Sequence, residues 1–138
     1  MKFSTHRFDS TSSTNDIALQ MPDAPEGTVI VAGGQTSGKG RLGRKWSSPP
    51  GEGLYLSIIL RPPMPYNELW QMAFVVSLAA CEAIRQVSGL DARIKWPNDI
   101  LISGRKVCGI LIESRPPHSH TPTLPHSLVI AGIGINVN

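Results

Sequence analysis

The sequence has few cysteines, few aromatic residues and no long apolar run. Its 138 residues include two cysteines, Cys81 and Cys108, in no metal-ligand or redox spacing, so neither a disulfide framework nor a cysteine metal centre is indicated. No apolar stretch approaches the roughly 20 residues that a membrane helix needs. The opening residues, MKFSTHRFDSTSSTND, lack the apolar core and small-residue cleavage site of a signal peptide. We therefore expect reduced thiols, a cytoplasmic protein and no membrane partner.

Charged residues are also sparse, at 17% of the chain, but the positive ones are unevenly placed. The net charge is +3, and Lys39, Arg41, Arg44 and Lys45 lie close together in the sequence. Such a cluster suits an anionic small molecule or a nucleic-acid backbone. Because no aromatic platform or recognition helix accompanies it, a nucleic-acid-binding module is the weaker interpretation, and we expect no nucleic-acid partner.

Apolar patterning predicts several strands and two helices in one domain over residues 1–138. The predicted strands are residues 28–32, 54–60, 92–95, 100–102, 106–113 and 128–135, with Ser103-Gly104 as a hairpin turn. Residues 16–21 form a short helix after a capping box that begins at Ser13. Residues 68–87 form a longer helix, whose nearly all-round apolar pattern predicts burial. The predicted fold class is α+β, a mixed, mostly antiparallel sheet with helices on one face.

The segment from residue 33 to residue 53 is similar to a phosphate-binding P-loop but fails its requirements. Gly33, Gly38 and Lys39 have the P-loop spacing, which requires a Ser or Thr next and a helix starting there. Gly40 stands in that place, and helix-breaking residues follow. What remains is a loop with seven glycines, in which arginines can bind carboxylate or phosphate oxygens. A disordered basic surface loop is the alternative.

Later segments place cations, amides and glycines at strand ends. Residues 95–99 read KWPND, residues 106–113 read KVCGILIE, and residues 132–138 read GIGINVN. Both Lys106 and the backbone at Gly109 can face a site on the sheet surface. Residues 115–126 carry four prolines and three histidines, a composition that favours an irregular, solvated loop over a metal site.

With these segments in this order, the sequence resembles the biotin protein ligase family, the biotin–[acetyl-CoA-carboxylase] ligases. The family signatures look like STN, GRGRxGRxW, KWPNDI, KxxGILxE and GxGxN. The corresponding segments here are Ser13-Thr14-Asn15, GKGRLGRKW from Gly38, KWPNDI from Lys95, KVCGILIE from Lys106 and GIGINVN from Gly132. One departure is Lys39, where the family usually has Arg, so the charge is kept but the bidentate fork is lost.

The resemblance implies a two-step reaction on a fold similar to class II aminoacyl-tRNA synthetases and to the biotin-lipoate ligase catalytic domain. Biotin would attack the α-phosphate of ATP, with Mg²⁺ as a further co-substrate, and give biotinyl-5′-AMP. A lysine of the biotin carboxyl carrier protein would then receive biotin as an amide. Neither step needs an enzyme nucleophile, and none is apparent. Cations relieve anionic repulsion in the first step, and a closing loop protects the adenylate from water in the second.

The resemblance also implies roles for particular residues. Lys106 and Arg41 would be catalytic, with Lys106 holding the biotin carboxylate and the attacked phosphate. Biotin would contact Ser13, Thr14, Asn15, Gln35, Gly38, Lys39, Gly40, Arg41, Lys106, Gly109 and Leu111. ATP would contact Arg41, Arg44, Trp46, Asn98, Lys106 and Asn136, with Trp46 beside the adenine. Metal ligands are not assigned, since Asp99 either orients the turn or helps with magnesium.

The extent of the chain leaves alternatives open. The signatures begin within fifteen residues of Met1 and end at the GxGxN motif, so we expect neither an N-terminal helix-turn-helix nor the C-terminal part of the family's domain. Such a fragment can bind biotin or a partner without catalysis, or associate through exposed strands as a homodimer. A lipoate or octanoate ligase is the nearest rival, although that family typically has R-R-x-S-G-G-G at its glycine loop and lacks KWPND.

Overall fold

One seven-stranded sheet organises the computed structural model, which describes residues 1–117 and 126–137. The strands are β1 (Ser4–Phe8), β2 (Thr28–Ala32), β3 (Gly53–Leu60), β4 (Ala92–Lys95), β5 (Asp99–Ile102), β6 (Arg105–Arg115) and β7 (Leu128–Asn136). Their order is β1-β2-β3-β7-β6-β5-β4. β1 and β2 run parallel, and all other neighbours run antiparallel. The predicted mixed, mostly antiparallel sheet is therefore confirmed.

The two α-helices, α1 (Thr14–Leu19) and α2 (Met72–Ser88), cover opposite faces of this sheet. α2 packs on the side to which Cys108, Ile110 and Val129 point. α1 packs on the other side, where Ala18 meets Ile130 and its neighbours. The two helices therefore lie on opposite faces, and the expectation that both would cover one face is corrected for α1. The reason is that α1 connects the parallel pair β1 and β2 and closes over β2, β3 and β7.

The short helix begins at Thr14 rather than at Asp16, and its predicted capping box does not form. Ser13 occupies the N-cap position with extended backbone angles, but its side chain makes no capping hydrogen bond. Asp16 cannot complete the box because its carboxylate pairs with Lys39 instead. A sequence pattern typical of local capping is thus used for a tertiary ion pair.

The long helix is shorter and less buried than its composition predicts. A 3₁₀ segment, Tyr66–Gln71, replaces the first predicted turn of α2. Only one stripe of α2 is buried, because the sheet covers one side of it, while Val75 and Leu78 are more than half exposed and Val87 is 90% exposed. The prediction of burial on nearly all sides was therefore wrong.

Most strand bounds agree with the alternation in the sequence. β2 and β4 match their predicted ranges, and the hairpin between β5 and β6 turns at Ser103 and Gly104, both with positive φ. β1 was not predicted, since its five residues are all exposed and show no apolar alternation. Both cysteines are free and buried, as expected.

The sequence predicts no membrane helix and an irregular loop at residues 115–126. Within the described residues, no helix combines the length and the apolar character needed to cross a membrane. The proline- and histidine-rich segment 115–126 lies largely outside the described residues, which stop at 117 and resume at 126.

Candidate functional site

Glycines of β6 and β7 form a flat floor on the face of the sheet that carries α1. Gly109 pairs with Gly134, and Leu111 pairs with Gly132. A Cβ on Gly134 would lie 2.5 Å from the indole Nε1 of Trp46, and one on Gly109 would lie 2.8 Å from the same ring. Real Cβ atoms do not approach other atoms this closely, so the two glycines make room for the Trp46 ring.

The start of α1 forms one wall, and its polar side chains are almost completely buried. Thr14 and Asn15 are 4% and 3% exposed. Ser57 of β3 donates its hydroxyl to Thr14 Oγ1 at 2.8 Å and to Asn15 Oδ1 at 2.6 Å, as alternative acceptors. The backbone N–H of Thr14 donates to Gln35 Oε1 at 2.8 Å. The buried polar groups of this wall are therefore satisfied by one another.

Gln35 links this wall to the glycine-rich loop. Its amide donates to Ser48 Oγ at 2.8 Å, and Ser48 in turn donates to the carbonyl of Trp46 at 3.2 Å. Gly38 lies close to the same carbonyl, since a Cβ there would be 2.4 Å away. Isolated bridges join Gln35 to Ser48 and Lys39 to Lys45. The long loop is therefore held by its own hydrogen bonds rather than being a disordered surface segment.

A β-bulge brings Lys106 onto the same face as the glycine floor. Ile100 pairs with Cys108, but the next residue, Leu101, pairs with Lys106, so β6 has one extra residue here. Without the bulge, Lys106 and Gly109 would point to opposite faces, because side chains alternate along a strand. The Lys106 ammonium lies 2.8 Å from Asp99 Oδ1 and 5.1 Å from the centre of the Trp46 ring. An ion pair and a cation–π contact thus hold the Lys106 side chain beside the floor.

Cys108, two residues along, points to the opposite face and is not part of this chemistry. Burial raises the pKa of its thiol to about 12, although the charge of Lys106 opposes the shift. A thiol with this pKa is protonated at neutral pH and is a poor nucleophile. Cys108 is therefore not a candidate nucleophile of this site.

Arg41 reaches the site from the glycine-rich loop through Asn98. Its guanidinium donates to Asn98 Oδ1 at 3.1 Å. The Asn98 amide donates to the carbonyl of Ile110 at 2.9 Å, and the Ile110 N–H donates back to the carbonyl of Asn98 at 2.9 Å. The turn after β4 is thus attached to β6, and it offers Arg41 a fixed docking point.

Lys39 forms a different set of contacts on the other side of the loop. Its ammonium lies 2.6 Å from Asp16 Oδ1 and 3.1 Å from Glu113 Oε1. Burial alone lowers the pKa of Lys39, but the hydrogen bonds and charges of the two carboxylates outweigh it and raise that pKa above its ordinary value. Lys39 is therefore a cation with two anionic partners inside the protein.

Most of the residues expected from the sequence lie together around one cavity. Those that line it are Ser13, Thr14, Asn15, Gln35, Lys39, Gly40, Arg41, Trp46, Asn98, Lys106, Gly109 and Leu111. Gly38 and Arg44 line the neighbouring opening instead. Asn136 lies at the exposed end of β7, paired with Gly53, and is not brought to this cavity.

Several residues of the site were not assigned a role from the sequence. Glu113 receives the Asn15 amide on Oε2 at 2.7 Å and the Lys39 ammonium on Oε1. Its position in the KVCGILIE segment was a usable signal, because it has the same strand parity as Gly109 and Leu111. Ser57 and Asp16 had no such signal, since short polar residues in a strand or a helix are usually on the surface.

The cavity is nearly filled by Trp46 in this conformation. Its volume is about 50 Å³, whereas pockets for small molecules typically enclose roughly 300–1,000 Å³. The indole Nε1 is buried and has no hydrogen-bond partner. A buried donor without an acceptor is unfavourable, so this N–H is a candidate donor to a ligand group at this position.

Comparison with known proteins assigns the fold and the family. The chain belongs to the biotin/lipoate A/B protein ligase family, whose model matches residues 5–136. Within that family its fold is that of the biotin protein ligase catalytic domain. It is 42% identical over 132 residues to the bifunctional ligase/repressor BirA of Bacillus subtilis, covering 94% of this chain and 39% of that protein.

Two further relatives point the same way. The biotin–[acetyl-CoA-carboxylase] ligase of Paracoccus denitrificans is 38% identical over 130 residues, which is 92% of this chain and 52% of that protein. The biotin protein ligase of Aquifex aeolicus, solved in complex with biotin and ATP, superposes with a TM-score of 0.77 at 36% identity, covering 100% of this chain and 53% of that one. The chain therefore spans about two fifths to one half of the relatives it matches.

Proposed function

We propose that the chain belongs to an ATP-dependent biotin–protein ligase and carries the residues that activate biotin as biotinyl-5′-AMP. In this reaction the biotin carboxylate attacks the α-phosphate of ATP, the bond to the β-phosphate oxygen breaks, and pyrophosphate leaves. A lysine amine of the biotin carboxyl carrier protein then attacks the mixed anhydride, forming an amide and releasing AMP. The proposal assigns to this chain the ligase activity for which similar proteins are named.

The observation that carries the proposal is the pair of cations beside the glycine floor. Lys106 lies against Asp99 at 2.8 Å, and Arg41 is attached to Asn98 at 3.1 Å, both on the rim of one cavity. Two anions must approach each other when a carboxylate attacks a phosphate. Cations positioned in advance relieve that repulsion and stabilise the charge that develops in the transition state.

Binding of biotin requires the Trp46 ring to leave part of the floor. The present cavity of about 50 Å³ has no room for a bicyclic ligand beside the indole. Once the ring moves, the backbone at Gly109 and Gly134 is open to the ligand, and the displaced indole can stack on a planar group such as adenine. Gly132 leaves space for Asn15, whose Oδ1 would otherwise lie 2.3 Å from a Cβ.

Mg²⁺ and the cellular context belong to the same proposal. Among residues 1–117 and 126–137, no group of three or more His, Cys, Asp or Glu side chains could hold a metal ion. We propose that Mg²⁺ enters with ATP on its phosphate oxygens, as it commonly does. We place the reaction in the cytoplasm, with the carrier protein as the macromolecular partner.

The decisive experiment is formation of biotinyl-5′-AMP from biotin and ATP, followed by ATP–pyrophosphate exchange. Lys106→Ala should reduce exchange by a factor of roughly 100 or more, because the approaching anions lose their cation. Lys95→Ala removes an equally charged, exposed side chain at the end of β4 and should leave exchange within about 2-fold. Near-normal exchange in Lys106→Ala would show that the role of this lysine is misassigned.

Specificity for biotin over lipoate can be tested on the chain itself. A ligand at 100 times its dissociation constant stabilises the folded state by about 2.7 kcal/mol, which raises the melting temperature measurably. We expect biotin to produce such a shift and lipoate to produce none. Equal shifts with both ligands would contradict the assignment to biotin and would favour a broader acyl-ligase activity.

A further inference from the structure

One lysine of the glycine-rich loop is shared by two carboxylates that lie outside the loop. Lys39 lies near the start of this loop, Asp16 lies on α1, and Glu113 lies near the end of β6. The two ion pairs measure 2.6 Å and 3.1 Å. The three side chains are between 29% and 37% exposed, so the cluster is partly shielded from water without being buried.

Glu113 joins this attachment to the wall of the cavity. One of its carboxylate oxygens accepts from Lys39, and the other accepts from the Asn15 amide at 2.7 Å. Asn15 in turn accepts from Ser57 at 2.6 Å. A displacement of the loop that pulls Lys39 away therefore also disturbs the buried polar residues that face the ligand position.

Two of the loop's cations, Lys39 and Arg41, have different partners. The Lys39 ammonium is bound by two carboxylates, whereas Arg41 two residues later donates to the neutral amide oxygen of Asn98. A lysine ammonium suits the first task, since it is a compact charge whose three donors can meet carboxylates in different directions. Arg41 remains available for a phosphate or carboxylate group of a ligand.

We propose that Lys39, Asp16 and Glu113 form a loop-fastening triad, and that Lys39 is a positioning residue which holds the glycine loop over the cavity instead of contacting the reacting groups. The proposal rests on the proposed function for the identity of the ligand beneath the loop. The fastening itself concerns contacts within the chain and does not depend on any ligand.

The direct test is amide hydrogen exchange in the loop without ligand. The N–H groups of Gly40 and Trp46 donate across the loop to the carbonyls of Arg44 and Gly38, each at 2.8 Å. Lys39→Met should speed exchange at these amides by about 3- to 10-fold, since local opening becomes easier. Glu113→Gln should act similarly, and Lys39→Arg should stay within about 2-fold of the parent chain.

The matched control is Lys45→Met, which removes an exposed positive charge from the same loop. This variant should leave exchange at Gly40 and Trp46 within about 2-fold of the parent chain. Added salt should speed exchange in the parent and have little effect in Lys39→Met, because salt screens the ion pairs that the variant lacks. Unchanged exchange in Lys39→Met, or equal acceleration in Lys45→Met, would overturn the triad.

A ligand experiment separates this proposal from the proposed function. With the triad intact, biotin should dissociate slowly, and Lys39→Met should raise its dissociation rate by about the same factor as loop exchange. If loop exchange accelerates in Lys39→Met but the parent chain binds no biotin, the triad stands and the proposed ligand is wrong. If biotin binds the parent chain and dissociates at the same rate from Lys39→Met, the triad does not retain the ligand and the proposal fails.

Discussion

The two faces of β6 and β7 are built from alternating residues of the same strands, yet one face is packed with side chains and the other carries glycines. On one face Ile110, Val129 and Ala131 are at most 2% exposed and pack beneath α2. On the other, Gly109, Gly132 and Gly134 leave an open floor on which the Trp46 ring lies. One face is filled with side chains and stabilises the fold, while the other is cleared of them at these three glycines and forms the floor of the candidate site.

This difference explains why neighbouring residues should respond differently to substitution. Because the side-chain period of a strand is two, moving one position along β7 exchanges the core for the cavity. Loss of volume should matter on the α2 face, whereas gain of volume should matter on the glycine face.

The largest effect on stability is expected on the α2 face. Ile110→Ala should lower the free energy of unfolding by about 2–5 kcal/mol, since it leaves a cavity in a core position that is 2% exposed. Biotin affinity of the chain that remains folded should change far less, because the side chain points away from the floor. Denaturant titration and calorimetric binding would measure the two effects. Val87→Ala, at a position on α2 that is 90% exposed, should change neither. Loss of affinity with stability intact would contradict the division between the faces.

The next effect is expected from adding a single carbon to the glycine face. Gly134→Ala should destabilise the chain by about 1–3 kcal/mol, since the new Cβ would lie 2.5 Å from Trp46 Nε1 and the ring must shift. Combining it with Trp46→Ala provides the control. If the indole is the obstacle, Gly134→Ala should have less than half its effect in the Trp46→Ala background, as measured by a double-mutant cycle of unfolding free energies. Strictly additive effects would show that the floor is closed for another reason.

The sequence predicts those parts of the two faces that depend on interactions between residues close together in the chain. The alternation of β2 and β3 and the turn at Ser103-Gly104 are local, and all were predicted closely. β1 was missed because its residues STHRF carry no alternation, and pairing with β2 alone makes them a strand. A local sequence pattern cannot predict a strand that depends on pairing with a distant segment.

The same reasoning applies to the site. Motif residues such as Lys106, Asn98 and Gly109 come together as the resemblance implied, because the motifs lie at strand ends that the sheet brings side by side. The pairing of Lys39 with Glu113 joins residues 74 positions apart and needed the structure. The location of Trp46 on the glycine floor depends on tertiary contacts that no local pattern encodes.

Burial of Cys108 on the α2 face should make the free energy of unfolding depend on pH, a smaller effect than those above. Its folded-state pKa of about 12 exceeds the ordinary value of 9.0, because burial on the α2 face disfavours the thiolate. Above pH 9 the unfolded chain loses this proton and the folded chain keeps it, so stability should fall as pH rises. The loss should be about 1 kcal/mol between pH 9 and pH 10, measured by denaturant titration. Cys108→Ala should abolish this part of the slope, whereas Cys81→Ala should retain it. A slope unchanged in Cys108→Ala would place its origin elsewhere.

The smallest effect on stability is expected at the ion pair on the site face, although its effect on ligands should be clear. Asp99→Asn should change the free energy of unfolding by about 0–1 kcal/mol, because the partner Lys106 is 42% exposed and water already solvates much of its charge. The released ammonium should then bind anions more tightly, which titration with pyrophosphate would show as a salt-sensitive gain in affinity.

Asp91→Asn is the matched control, since it breaks the pair with Arg93 at 2.8 Å beside edge strand β4, away from the floor. If both variants gain anion affinity equally, net charge explains the gain. If Asp99→Asn alone gains it, the site face owes its anion preference to Lys106, which the bulge in β6 turns away from the core and toward the glycines.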